Sequence, residues 1–153
     1  MPGHLVRRLH QASTAIFDIE TSRQGFDLTS VQFAALAVID ARPGLDQATL
    51  AGAIAFDRVT IGGVIDRLEA KGLVRREIAK GDRRSRRLHL EPAGKQVLDG
   101  VVPHVRRVQE LLLKGLSAKE QEILLRLMRK TLNAVADVSR TPLKPVAPAR
   151  GAK

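Results

Sequence analysis

Apolar side chains recur every third or fourth residue from His4 to about Thr21, at Leu5, Leu9, Ala12, Ile16 and Ile19, and this spacing predicts an amphipathic helix. A second helix begins after Thr29, its N-cap, buries Val31, Ala35, Leu36 and Ile39, and stops at Pro43-Gly44. Asp46 is placed to cap a short third helix to about Ala53, with Leu50, Ala51 and Ile54 inward. The pattern breaks at Ala55-Phe56. Asp57 then caps a fourth helix that runs to Ala70, and Gly72 lies just beyond it, where a C′ glycine belongs. Ile61, Val64, Ile65 and Leu68 make the buried stripe of that helix. Arg58, Thr60, Gly62, Gly63, Asp66 and Arg67 are left on or near its other face.

Past Gly72 the period changes. "LVRREIA" (73–79) and "RLHLE" (87–91) alternate between polar and apolar residues and read as two strands, joined by the loop "KGDRRSR". Pro92 starts a long helix to about Gly115, with Val97, Leu98, Val101, Val105, Val108, Leu111 and Leu112 on one side and a kink expected at Pro103. Ser117 and Glu120 form a capping box for a last helix to about Val138, with Ile123, Leu124, Leu127, Met128 and Val135 inward. The tail "TPLKPVAPARGAK" has few large apolar residues and reads as disordered. The fold class is mainly α with a small β-hairpin. Helix, short turn, helix and hairpin make a winged helix-turn-helix lobe over residues 29–91. Residues 4–28 and 92–138 form a helical region, and 139–153 a tail.

Composition sharpens this picture. With 44% hydrophobic residues but no Trp, no Tyr and four Phe among 153 residues, the core must be aliphatic. The absence of Cys excludes disulfides, thiolate metal sites and a cysteine nucleophile. No signal-peptide region and no membrane-length apolar run is present, so the expectation is a cytoplasmic protein with no membrane partner. His4, His10, His89 and His104 show no metal-ligand spacing, and no nucleophile elbow, phosphate loop or HExxH occurs. The chain is therefore read as no enzyme, with no cofactor and no metal.

Charge points to the partner. Lys and Arg total 26 against 16 acidic residues, a net charge of +10, which suits a polyanion. Residues 71–87 hold eight basic and two acidic side chains, so more than half of the excess lies across the hairpin. In the fourth helix Arg58 and Thr60 occupy the first turn, the part that usually reaches base edges. Gly62 and Gly63 each cost about 1 kcal/mol relative to Ala in a helix interior. Two readings stand: the backbone needs a close approach to a groove floor, or the glycines relieve crowding against a neighbouring helix.

"DRVTIGGVIDRLEAKGLVRRE" followed by "GDRRSRRLHLEPAGKQVL" resembles the recognition helix and wing of the MarR family of transcriptional regulators. The family's helix pattern maps onto Thr60 through Val74, its wing Asp-x-Arg onto Asp82 and Arg84, and its closing Leu-x-x-x-Gly onto Leu90 and Gly94. The chain departs from that pattern at Glu91, where the family has Thr, and at Gly63, where a polar or basic residue is usual. The resemblance covers about residues 4–138. It implies a homodimer held by the first and the two last helices, which also carry more aliphatic surface than one winged lobe can cover. It implies recognition helices about 34–36 Å apart, in successive major grooves of a pseudo-palindromic double-stranded DNA operator. Arg84 would enter a flanking minor groove, oriented by Asp82. Arg83, Arg86 and Arg87 would neutralise phosphates, joined by Gln47 and Thr49, while Arg58, Thr60, Gly62, Gly63 and Arg67 face the major groove.

The same resemblance implies a small aromatic carboxylate as effector, bound between the dimer helices and the winged lobe. Arg7 and His10, one turn apart, are the candidates for its carboxylate and ring hydroxyl, and Phe33 for stacking. The missing Trp argues against the urate-responsive branch, and the "FDRVTIGGVIDRLE" helix is similar to that of nicotinate-degradation repressors. The expected function is a repressor released by such an acid, hydroxynicotinate being the first choice. The alternative is a ligand-independent, architectural DNA-binding protein.

Overall fold

A computed structural model describes residues 1–79 and 81–136, without the side chains of residues 79 and 82–85. The order is α1 (Pro2–Ser22), α2 (Ser30–Ala41), β1 (Leu45–Asp46), α3 (Gln47–Ile54), α4 (Arg58–Ala70), β2 (Val74–Ala79), β3 (Asp82–Leu90), α5 (Pro92–Leu113) and α6 (Ala118–Ala134). Capping sets these boundaries. Thr29 and Gln32 form a full capping box at α2, as Ser117 and Glu120 do at α6. The Ser117 hydroxyl, then its backbone N–H, holds the Glu120 carboxyl below its ordinary value. Asp46 and Asp57 cap α3 and α4. Gly72, at φ +69°, takes the left-handed turn out of α4 as its position predicts.

The core lies in the winged lobe. Leu36, Ile39, Leu50, Ile61, Ile65, Leu68, Val74 and Leu88 are fully buried, and Leu98 and Val101 of α5 close the same cluster. The predicted stripe of α4 is thus the stripe that is buried. α1 lies along α5, burying Phe17 and Thr21. Gly94, at the start of α5, is buried against the Leu73 carbonyl and the Leu90 side chain, where a Cβ would collide with backbone.

Four expectations need correction. The sheet has three strands, in the order β1-β3-β2, and β1 pairs Leu45 with Leu88 and Asp46 with Arg87. A two-residue strand has no readable period, which is why alternation did not show it. The hairpin carries no seven-residue loop: β3 begins at Asp82, because Gly81 at φ +88° lets the chain reverse tightly. α5 ends at Leu113 and α6 at Ala134, short of Gly115 and Val138. Finally, the stripe of α6 read as inward is not covered, and the apolar side of the amphipathic α1 is covered only in part. Leu5 and Ile19 of α1 are exposed, and α6 buries none of its residues, leaving Ile123, Leu127, Met128 and Val135 open. Val138 and the 139–153 tail lie outside the described residues.

Candidate nucleic-acid interface

α3 and α4 meet at 108° across the break at Ala55, whose left-handed conformation (φ +58°) turns the chain. That angle is the one at which a supporting helix and a recognition helix cross. The two helices open on the same device. The Asp46 carboxylate accepts from the Thr49 amide at 2.7 Å and from its hydroxyl at 3.1 Å. Asp57 accepts from the Thr60 amide at 2.8 Å and from its hydroxyl at 2.6 Å. The hydroxyl is the main cause of the Asp57 carboxyl's lowered pKa, with the amide adding to it. Both threonine hydroxyl protons are therefore engaged inside the protein. Towards DNA, Thr49 and Thr60 offer an acceptor lone pair and a methyl group, and no donor for a phosphate.

The outer face of α4 carries Arg58, Val59 and Thr60, all exposed, then the two glycines, then Asp66 and Arg67. The glycines differ. A Cβ on Gly62 would come 3.3 Å from the amide nitrogen of Gln47, which leans across from the first position of α3. A Cβ on Gly63 would meet nothing within 4 Å. Crowding thus accounts for part of Gly62 and for none of Gly63.

Arg76 of β2 is a site residue that the sequence reading missed. Its guanidinium donates to Asp66 and to Glu69, each at 2.6 Å, and its amide donates to the same Glu69 carboxylate. It is the least exposed arginine in these ion pairs, at 20% of its side chain, and it ties wing to recognition helix. Asp66 consequently serves the wing rather than facing outward alone. The signal was present as an acidic pair at i and i+3 on one helix face, opposite a basic strand.

Strand alternation sorts the remaining arginines. Arg76 pairs in register with Leu88 and Ile78 with Arg86, so Arg86 shares the sheet face that meets α4. Arg75, Glu77, Arg87 and His89 share the other face, where Arg75 pairs with Glu77 and Glu91, and His89 lies 3.5 Å from Glu77. Arg87 donates to the Gly44 carbonyl at 2.9 Å, which fastens the base of the wing to the turn before β1. The expectation that Arg86 and Arg87 act alike thus separates: Arg86 is exposed on the recognition side, and Arg87 is bound to the scaffold. The side chains of Asp82, Arg83 and Arg84 lie outside the described residues.

The three effector candidates are not gathered within one chain. Arg7 and His10 are exposed on α1. Phe33 is half-buried, its ring 6.0 Å from that of Phe17. Phe17 is seven residues beyond His10, about 10 Å along the helix. Two cavities open near the junction of helices and lobe. One, of about 430 Å³, lies at the wing base between Ile39, Arg75, His89 and Lys95; the other, of about 260 Å³, lies between Phe26, Lys71 and Val97. Neither is lined by Arg7, His10 or Phe33. Among the described residues there is no group of three His, Asp or Glu spaced to hold a metal ion, and no single helix is long and apolar enough to cross a membrane.

A recognition helix set at this angle on a capped support, with a basic hairpin clamped beside it, defines a winged helix-turn-helix DNA-binding protein. Comparison with known proteins agrees. The MarR family model matches residues 28–85. The chain is 37% identical over 134 residues to the HTH-type transcriptional repressor NicR of Pseudomonas putida, an overlap of 86% of this chain and 82% of NicR. It is similar in structure to PcaV of Streptomyces coelicolor in complex with its natural ligand, with a TM-score of 0.81, 34% identity, and 88% and 94% of the two chains covered. It is also similar to Bordetella bronchiseptica BpsR, whose DNA binding is regulated by 6-hydroxynicotinic acid, with a TM-score of 0.80, 30% identity, and 86% and 92% covered. The chain belongs to the MarR family. It is a DNA-binding transcriptional regulator and not an enzyme.

Proposed function

We propose that this protein is a cytoplasmic repressor that binds a pseudo-palindromic operator as a homodimer and is released by a small hydroxylated aromatic carboxylate. The observation that carries the DNA-binding part is the clamped pair of α4 and wing, with Arg58, Thr60, Gly63, Arg67 and Arg86 on or near one side. Gln47 supports this surface from α3, and Gly62 makes room for it. In this reading Arg83 and Arg84 extend the basic surface at the wing tip, with Asp82 orienting Arg84. Residues 29–91 are the reading lobe, and 4–28 with 92–138 the dimerisation region.

Release follows from linkage. A ligand changes operator affinity only if it prefers one spacing of the two recognition helices over the other. A site whose walls belong both to the dimer helices and to the lobe sets that spacing. The likeness to BpsR makes hydroxynicotinate the first candidate. In this reading a site that uses Arg7, His10 and Phe33, which line neither of the two cavities described, is completed by the second chain.

The test begins with an operator selected from random duplex DNA by the purified protein. A panel of hydroxynicotinates, benzoates and cinnamates is then titrated into that complex. A preference of about 2–3 kcal/mol for the incompetent spacing lowers operator affinity roughly 30- to 150-fold. Arg7→Ala or His10→Ala should blunt the response and leave ligand-free binding nearly intact. The effector reading is wrong if no compound shifts the thermal midpoint or the operator affinity.

A further inference from the structure

Val59 is the second residue of α4, and 87% of it is exposed, more than any other large apolar side chain among the described residues except Met1. It gains nothing there from the fold. The buried stripe of the helix is Ile61, Val64, Ile65 and Leu68, and a β-branched residue in an exposed helical turn is a poorer helix former than Ala. A single exposed valine is unremarkable on an arbitrary surface. This one stands beside Arg58 and Thr60 in the first turn of the helix placed to enter a groove.

Its neighbours along the helix face strengthen the case. Positions i+3 and i+4 from Val59 are Gly62 and Gly63, so the side chain next along the same face is missing twice. The result is one apolar knob followed by bare backbone, open at Gly63 to more than 4 Å. Bare backbone lets the helix settle against a flat surface, and the knob then reaches deepest into it. Thr60 cannot supply a donor at this point, because its hydroxyl proton is held by Asp57. Beside Arg58, the tip of the helix therefore presents methyl groups outward.

On the floor of the major groove only one group of the four ordinary base pairs is apolar, the 5-methyl of thymine. Adenine, guanine and cytosine present donors and acceptors there, which a valine leaves unsatisfied. We infer that Val59 is a specificity-determining residue that packs on a thymine 5-methyl group, once in each half-site of the operator. The inference rests on the DNA-binding reading and goes beyond it to the chemistry of one base.

The experiment uses the full chain and an operator selected from random duplex DNA. Each thymine is replaced in turn by deoxyuridine, which removes the methyl and keeps every base-pairing group. Wild-type protein should lose roughly three- to tenfold in affinity at one thymine per half-site, the effect of uncovering a methyl or two. Val59→Ala should bind the thymine duplex more weakly by a similar factor and no longer distinguish thymine from uracil there. An unchanged thermal midpoint for Val59→Ala shows that it is folded. Wild-type binding that is indifferent to uracil at every position overturns the inference while DNA binding stands. So does a Val59→Ala protein that keeps the full thymine preference. A wild-type protein that retains no duplex at all overturns both readings.

Discussion

Gly62 and Gly63 sit side by side in a helix of thirteen residues, and their surroundings give them different reasons. Gly62 leaves room for the Gln47 amide, whereas Gly63 faces open space. A methyl group at position 63 therefore fits, and Gly63→Ala should stabilise the protein by about 0.5–1 kcal/mol through helix propensity and the stiffer unfolded chain. In the proposed complex the same methyl stands on the face turned to DNA, so operator affinity should fall while the thermal midpoint rises. Calorimetry and a binding titration on one preparation check both. A gain in stability with unchanged affinity would show that Gly63 does not approach the groove. Opposite signs for folding and binding are what a site under functional constraint produces.

At the scale of elements, Val74 and Leu88 pack the wing base into the same core as the α4 stripe, and Arg76 adds a polar clamp to Asp66 and Glu69. Isolated exposed ion pairs contribute little, in the range of 0–1 kcal/mol. Arg76 is mostly covered and meets two carboxylates, so Arg76→Ala should cost about 1–2 kcal/mol of stability. Operator affinity should fall further than Arg86→Ala alone brings about, because the whole hairpin loses its setting against α4. Arg76→Lys should recover only part of this, since an ammonium lacks the planar fork that reaches Glu69 through one nitrogen and Asp66 through the other. If Arg76→Ala binds the operator like wild type, the wing is positioned by the Gly44, β1 and β3 contacts instead.

At the scale of the molecule, the helices outside the lobe hold the proposed dimer together. α1 leaves Leu5 65% exposed, and α6 leaves Leu127 47% exposed with no residue buried. α6 makes no substantial packing contact with any other described element, and Gln121 ties its start to the end of α5 by bonds to the Leu113 and Leu116 carbonyls. In the proposed dimer, these surfaces and their counterparts on a second copy bury each other. The unfolding midpoint should therefore rise with protein concentration, and sedimentation should show a dimer down to nanomolar concentration. Leu127→Asp should yield monomer or unfolded chain, because it sets a charge in an apolar interface. A monomer whose midpoint ignores concentration would refute the dimeric arrangement.

Local chemistry wrote much of this protein plainly. Thr29, Asp46, Asp57 and Ser117 mark their helix starts because each caps within its own turn, and the stripe of α4 follows from a period that needs no partner. The motif that resembles the MarR family is equally local, a helix and a hairpin in one stretch of chain. Other features depend on segments far apart in sequence. β1 exists only because β3 arrives beside it, and Arg87 reaches Gly44 across forty-three positions. The use of Asp66 and Glu69 depends on where β2 places Arg76, and the need for Gly62 on where α3 places Gln47. Periodicity says that a helix has an apolar face, but not what covers it. The excess of aliphatic surface on the outer helices is readable, but only the packed chain shows its division: α1 buries Phe17 and Thr21, whereas α6 buries none of its residues.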